Sequence, residues 1–310
     1  MQPARDIVST RELSKELINK LFNRADELAN GATPPLLTGK RLGTLFFEPS
    51  VFVRLTFESA MIKLGGGVLY STEFQLSGKN SLSMDPHFFD MVKLVSDFSD
   101  VLLLRHPFEG SAKLAAEIAD CPVINCGDTT HNPIQALVDL YTIRTLKNQI
   151  EGLEIGIVGN LKDTRNVKSF IEAISNFNVK ICLVSREELR LSGRFLHDFR
   201  LRAEDDSSFR VQEVVSLEDC ISSLDVLNLS NLEINLEGQK RKYVINEEVL
   251  TKAKRDLMII PPMPRKAELP IDIETRLGPS SPTPFGTFFT QAQIGVSLAM
   301  AILEFVLYQK

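Results

Sequence analysis

The sequence predicts an α/β protein with two doubly wound parallel-sheet domains joined by long interdomain helices. Three observations carry that prediction. Short apolar runs alternate with segments of helical period along the whole chain. The alternation closes on a long helix before residue 150 and then restarts. The length, 310 residues, fits two domains at roughly 150 residues each. The expected division is 1–148, with 288–310 packing back onto it, and 149–287.

Each element has a local reason. Ser9 and Glu12 have capping-box spacing, so a helix is expected to open there, with Leu13, Leu17, Leu21 and Leu28 at helical intervals. Asn30-Gly31 ends it, and Pro34-Pro35 forbids a restart. Leu42–Phe47 reads as a strand, Val53–Leu64 as a helix stopped by Gly65-Gly66-Gly67, and Val68–Tyr70 as a strand. After the polar stretch Ser71–Pro86 come helix Phe88–Phe98, strand Val101–Leu104, helix Ser111–Ile118, strand Val123–Asn125 and helix Pro133–Leu146. The second domain reads as strand Leu153–Gly159, helix Val167–Phe177 and strands at Val179–Val184, Val211–Val215, Asp225–Leu229 and Leu257–Ile260. Phe288–Tyr308 is a long apolar helix.

Composition narrows the function. The chain is 44% hydrophobic and 24% charged, with 35 basic and 40 acidic residues and a net charge of −5. That balance lacks the basic field that nucleic acid or an anionic membrane requires. The start has no apolar h-region and no apolar run reaches the ~20 residues of a membrane span, so a cytoplasmic chain is expected. Cys121, Cys126, Cys182 and Cys220 show no CxxC spacing and histidine is sparse, so no metal cluster is expected and the four read as reduced core thiols rather than disulfides; Gly159–Arg165 resembles a nucleotide-binding turn only superficially, and no cofactor is expected.

In open α/β sheets ligands bind at the carboxyl ends of strands. Six loops qualify: Glu48–Arg54, Arg105–Gly110, Gly127–Gln135, Gly159–Arg165, Ser230–Glu233 and Pro261–Arg265. Ser50 and the backbone amides after it suit a phosphate at a helix N-terminus; equally, this is an ordinary strand-to-helix turn with Arg54 in a structural ion pair. Arg105 offers a guanidinium fork. His106 reads as a general acid or as a structural donor.

Taken together, LFFEPSVFVRLTFESAMIKLGG (45–66), LLLRHPFEGSAKLAAE (102–117), VINCGDTTHNPIQALVDLYTI (123–143), IGIVGNLKDTRNVKSF (155–170) and IIPPMPRKAEL (259–269) resemble the aspartate/ornithine carbamoyltransferase family, in family order over nearly the whole chain. The resemblance implies a carbamoyl-phosphate domain, an amino-acid domain, and a trimer with active sites shared between neighbouring subunits. It also implies transfer of a carbamoyl group to an amino nitrogen in a pyrimidine-type pathway, without metal or covalent intermediate. Ser50 and Arg54 match the ends of the family's phosphate loop, and Arg105 its carbamoyl-phosphate arginine. Gln135 matches the glutamine for the carbamoyl amide, Arg165 the arginine for the α-carboxylate, and Pro264 the proline of the loop at the carbamoyl amine.

The departures from the family fall on the chemistry. Phe52 stands for an arginine, Val53 for a threonine, and Asn132 for the histidine of His-Pro-Thr-Gln. Met84 stands where a neighbouring subunit's lysine belongs; Lys79 lies several residues too early. On the amino-acid side Asn231 replaces an arginine, Glu233 a glutamine, and Met263 sits in the proline loop. A charge-assisted hydrogen bond contributes ~1.5–3 kcal/mol, so these losses together remove several powers of ten. The expectation is a family member without its transferase chemistry, acting through assembly or regulation: a homotrimer, with association to an active paralogue or pathway subunit and a small anion as ligand. The alternative is an active transferase with a changed donor or acceptor, favoured by the retained Arg105, Gln135, Arg165 and Pro264.

Overall fold

The computed structural model describes residues 6–31, 34–69, 86–162, 164–197, 210–230, 232–236, 239–242, 245, 247–261 and 288–308. They fall into two compact units, Met1–Tyr141 with Ala292–Lys310, and Thr142–Gln291.

The first unit holds a four-stranded parallel sheet: β1 (Arg41–Phe46), β2 (Gly67–Val68), β3 (Val101–Arg105) and β4 (Val123–Asn125), in the order β2-β1-β3-β4. Its strands are almost continuously apolar because helices cover both faces. The helices are α1 (Lys15–Asn30), α2 (Val51–Lys63), α3 (Pro86–Phe98), α4 (Ser111–Ile118) and α5 (Pro133–Lys147), the last carrying the chain into the second unit. Leu45, Phe88, Val92, Leu102, Leu104 and Val123 pack in one core cluster. Beyond β4, Ile7 extends the sheet edge through Ile7 N to Val123 O at 2.9 Å and Asn125 N to Ile7 O at 2.8 Å.

The first helix begins later than expected. Ser9 caps only a single 3-10 turn, Thr10–Glu12, and Leu13 is extended. Ser14 is the true cap of α1, its hydroxyl accepting from Leu17 N at 3.2 Å. The buried stripe of α1 is Ile18, Leu21, Phe22, Ala25 and Leu28, with Leu17 at its edge. The other predicted elements of this unit are present within a few residues of the expected bounds.

The second unit holds a five-stranded parallel sheet in the order β11-β8-β5-β6-β7, from β5 (Glu154–Val158), β6 (Lys180–Val184), β7 (Arg210–Val214), β8 (Val226–Leu229) and β11 (Met258–Ile260). Helix α6 (Arg165–Ile174) follows β5, starting two residues before its expected position. The antiparallel pair β9 (Glu233–Leu236) and β10 (Gln239–Lys242), followed by the short α7 (Glu247–Thr251), was not expected; Ser230–Glu233 was read as loop.

The final helix, α8 (Phe288–Tyr308), has the predicted bounds. By length and composition it could cross a membrane, contrary to the expectation that no segment reaches that length. Leu298 through Leu303 are each at most 2% exposed, the burial of a core helix.

Candidate functional site

Both sheets have a topological switch point where ligands are held in such folds. In the first unit the chain runs from β1 outward to β2, then returns to β3 on the other side of β1. The loops after β1 and β3 therefore flank one crevice. Ser50 sits at its edge as N-cap of α2, without a side-chain cap bond, so the hydroxyl does not close the helix N-terminus.

The side chains around that terminus are largely committed elsewhere. Arg54 Nε donates to Glu58 Oε1 at 2.8 Å, an i,i+4 ion pair along α2. This is the structural pairing expected as one of the two readings of the loop. Phe52 is half-buried, and its ring edge lies 3.5 Å from where a Cβ at Gly295 of α8 would stand. Val53 is buried. Phe52 thus packs between α2 and α8.

Arg105 ends β3 beside Phe46 of β1. Its Nη1 donates to Cys126 O at 2.9 Å and its Nη2 lies 3.3 Å from Glu48 Oε2. The guanidinium is only 13% exposed in its side chain, and Glu48 neutralises it. An anion entering the crevice competes with that pair, at a cost of the order of ~1.5–3 kcal/mol, or about ten- to hundredfold in affinity.

His106 is a buried side chain held in the core of the first unit. It is 1% exposed and enclosed by Phe47, Phe88 and Phe108, with ring centroids 4.6, 5.1 and 5.5 Å away. Its Nδ1 accepts from Phe108 N at 3.1 Å. Burial pushes its pKa down to about 4, so the ring is neutral at physiological pH and Nε2 carries the hydrogen. Nε2 meets no hydrogen-bond partner among the described residues.

The loop before α5 is held from within. Asp128 Oδ1 accepts from Thr130 N and His131 N at 2.7 and 2.6 Å, and Asn125 Nδ2 donates to Asp128 Oδ2 at 3.3 Å. The loop delivers Asn132 to the N-terminus of α5, where its Oδ1 accepts from Gln135 N at 3.4 Å, the geometry of an asparagine N-cap. Gln135 is 5% exposed and its Nε2 donates to Asp139 Oδ1 at 2.8 Å.

In the second unit the switch point lies between β5 and β8. Ser230 Oγ, after β8, donates to Asn160 O, after β5, at 3.2 Å, and Thr164 Oγ1 donates to the same carbonyl at 2.6 Å. Arg165 opens α6 just beyond and is partly exposed. Glu233 begins β9. Lys79, Met84, Asn231, Met263 and Pro264 lie outside the described residues.

Sequence reasoning missed Glu48, Asp139 and Asp128 as the partners that fix Arg105, Gln135 and the α5 loop. The i,i+4 spacing of Gln135 and Asp139 was a usable signal. Glu48 was not, because its proximity to Arg105 follows from the β1–β3 pairing. No group of three or more His, Cys, Asp or Glu side chains among the described residues is arranged to hold a metal.

Residues 5–145 match the family model described as aspartate/ornithine carbamoyltransferase, carbamoyl-P binding domain. The chain is 37% identical to the aspartate carbamoyltransferase catalytic subunit of Thermococcus onnurineus, over 98% of this chain and 97% of the relative. It is also 37% identical to that of Methanopyrus kandleri, with the same coverage. The catalytic subunit of M. jannaschii aspartate transcarbamoylase superposes with a TM-score of 0.83 at 32% identity, covering 97% of both chains. The Trypanosoma cruzi enzyme in complex with N-(phosphonacetyl)-L-aspartic acid gives 0.83 at 26% identity, covering 97% of this chain and 94% of that one. Full-length identity of this degree, on two parallel α/β units, makes the chain a member of the aspartate/ornithine carbamoyltransferase family.

Proposed function

We propose that this chain is an aspartate carbamoyltransferase-like protein that does not transfer a carbamoyl group from carbamoyl phosphate to aspartate, and that it works by assembly or regulation. The α2 N-terminus carries this reading. Phe52 packs towards Gly295, and Arg54 and Arg105 each face a glutamate, Glu58 and Glu48. Carbamoyl phosphate is a dianion, and burying it needs cations that are not already neutralised. Asn132 caps α5 and carries no charge to place on a carbonyl oxygen. On the acceptor side, Asn231 and Glu233 supply a neutral and an anionic residue where a dicarboxylate needs a cation.

Assembly has its own support. Val51, Leu55 and Ile62 lie on one face of α2 and are 69%, 57% and 64% exposed. An apolar stripe of this kind suits a second copy of the chain, in line with the trimer that the family resemblance implies. An active paralogue or pathway subunit is the other partner such a face accommodates.

A second reading rests on Gln135. Its amide is held by Asp139 with the carbonyl left over, as a carbamoyl-binding glutamine requires. Under it the chain transfers a carbamoyl group to an acceptor other than aspartate.

The test is an assay of the full chain with carbamoyl phosphate and a panel of amino acceptors including aspartate, following carbamoylated product. No product above background with any acceptor is the expected result. Turnover with aspartate overturns both readings; turnover with another acceptor selects the second.

A further inference from the structure

All four cysteines are buried and unbridged, but two of them form a pair. Cys182 lies in the middle of β6, beside Gly156 of β5 in the parallel register. Residues paired across a sheet project to the same face. On that face Gly156 leaves a gap, and Leu224 fills it so closely that a Cβ at position 156 would collide with the leucine. Leu224 belongs to the short segment 217–224, which crosses the sheet before β8. Cys220 is one turn earlier in that segment, at the end of the 3-10 turn Leu217–Asp219. The segment therefore brings Cys220 to the face of the sheet that carries Cys182, with its thiol donating to Leu217 O at 3.7 Å.

Both sulfurs lie in one apolar cluster with Leu217, Ile221, Leu224 and Leu227, at 6% and 5% residue exposure. The cover is thin, because Glu218 and Asp219 beside Cys220 are exposed. We propose that Cys182 and Cys220 are a redox-sensitive dithiol that a small hydroperoxide converts into an internal disulfide, clipping β6 to the segment that leads into β8.

The chemistry balances with the hydroperoxide as two-electron oxidant. One cysteine, as thiolate, attacks the terminal peroxide oxygen; the O–O bond breaks, the other oxygen takes up the proton the thiol gave up and leaves as an alcohol, or as water from hydrogen peroxide, and a sulfenic acid remains. The second thiol attacks that sulfur, forming the S–S bond; the sulfenic hydroxyl takes the thiol's proton and leaves as water. The neighbouring Cys220 thiol favours ionisation of Cys182, while Cys220, beside that thiol and also buried, holds its own proton more tightly than usual. Cys182 is therefore the attacking sulfur and Cys220 the resolving one. Cys121 and Cys126 are held protonated chiefly by burial and lie in the other unit.

The experiment uses the full chain, reduced and then exposed to hydrogen peroxide. Remaining thiols are alkylated under denaturing conditions and the protein is digested and mapped by mass spectrometry. The expected result is a Cys182–Cys220 linked peptide, an intact mass about 2 Da lower, alkylation confined to Cys121 and Cys126, and a melting temperature raised by roughly 5 °C or more, reversed by reductant. Cys220→Ser should instead leave Cys182 as sulfenic or sulfinic acid, with no cross-link. Four alkylated thiols after oxidation, or a cross-link involving Cys121, Cys126 or a second chain, overturns the proposal. The mapping of the unmodified chain decides the matter even if the variant fails to fold.

Discussion

Gln135 and Asp139 stand one turn apart on α5, and the Gln135 amide donates to the Asp139 carboxylate at 2.8 Å in a site where both are about 95% buried. The carboxylate fixes the orientation of the amide. Asp139→Leu keeps the branching at Cγ and removes the acceptor, leaving a buried amide without that partner. The expected cost is about 1–3 kcal/mol in urea unfolding, whereas Asp139→Asn retains a carbonyl and loses less than half as much. Equal stability of the Leu variant and the parent contradicts this assignment.

Phe52 and Gly295 test the packing at the α2 N-terminus. A Cβ at Gly295 would sit 3.5 Å from Phe52, 3.7 Å from Thr56 and 3.9 Å from Val138, all ordinary contacts. Gly295→Ala should therefore stabilise the protein by roughly 0.5–1 kcal/mol, the helix-interior difference between the two residues. Phe52→Ala should destabilise it by about 1–3 kcal/mol, part of the cost of emptying a fully buried phenylalanine site. A neutral Phe52→Ala in thermal unfolding would mean that the ring is not packing.

His106 makes stability depend on pH in a defined window. Its folded pKa, about 4, lies below its ordinary 6.5 because burial penalises the charged ring. Above pH 6.5 it is neutral in both states. As pH falls towards 4 the unfolded chain binds the proton and the folded one does not, so stability is lost over that range, by at most on the order of 3 kcal/mol. His106→Phe should flatten that part of the curve relative to the parent. Parallel curves between pH 6.5 and 4 count against a buried neutral histidine.

Much of the fold was legible in the sequence because its strands are apolar runs separated by helical periods. Val123–Asn125, Ser111–Ile118 and Phe288–Tyr308 appear with the predicted bounds. The pair β9–β10 was not legible: Gln239-Lys240-Arg241-Lys242 has no apolar residue, so its strand leaves no alternation to read. At the candidate site, Ser50, Phe52, Arg105, Asn132 and Gln135 were singled out from motif order alone. What each side chain does was not, since the Arg105–Glu48 pair depends on which strands are neighbours. The Ser9 capping box misplaced the first helix because Leu13 turns extended and Ser14 caps the continuation.

The exposed stripe of α2 predicts self-association. Leu55→Glu with Ile62→Glu puts charge on two of its three apolar positions. Sedimentation at micromolar concentration should show the parent as a trimer and the double variant as a monomer. A parent that sediments as a monomer contradicts the interface.

The most direct test of the central claim is a calorimetric titration of the full chain with carbamoyl phosphate at physiological salt. With Phe52 packed towards Gly295 and Arg105 held by Glu48, the prediction is a dissociation constant no tighter than about 1 mM, worth roughly 4 kcal/mol. A dissociation constant in the micromolar range would contradict it.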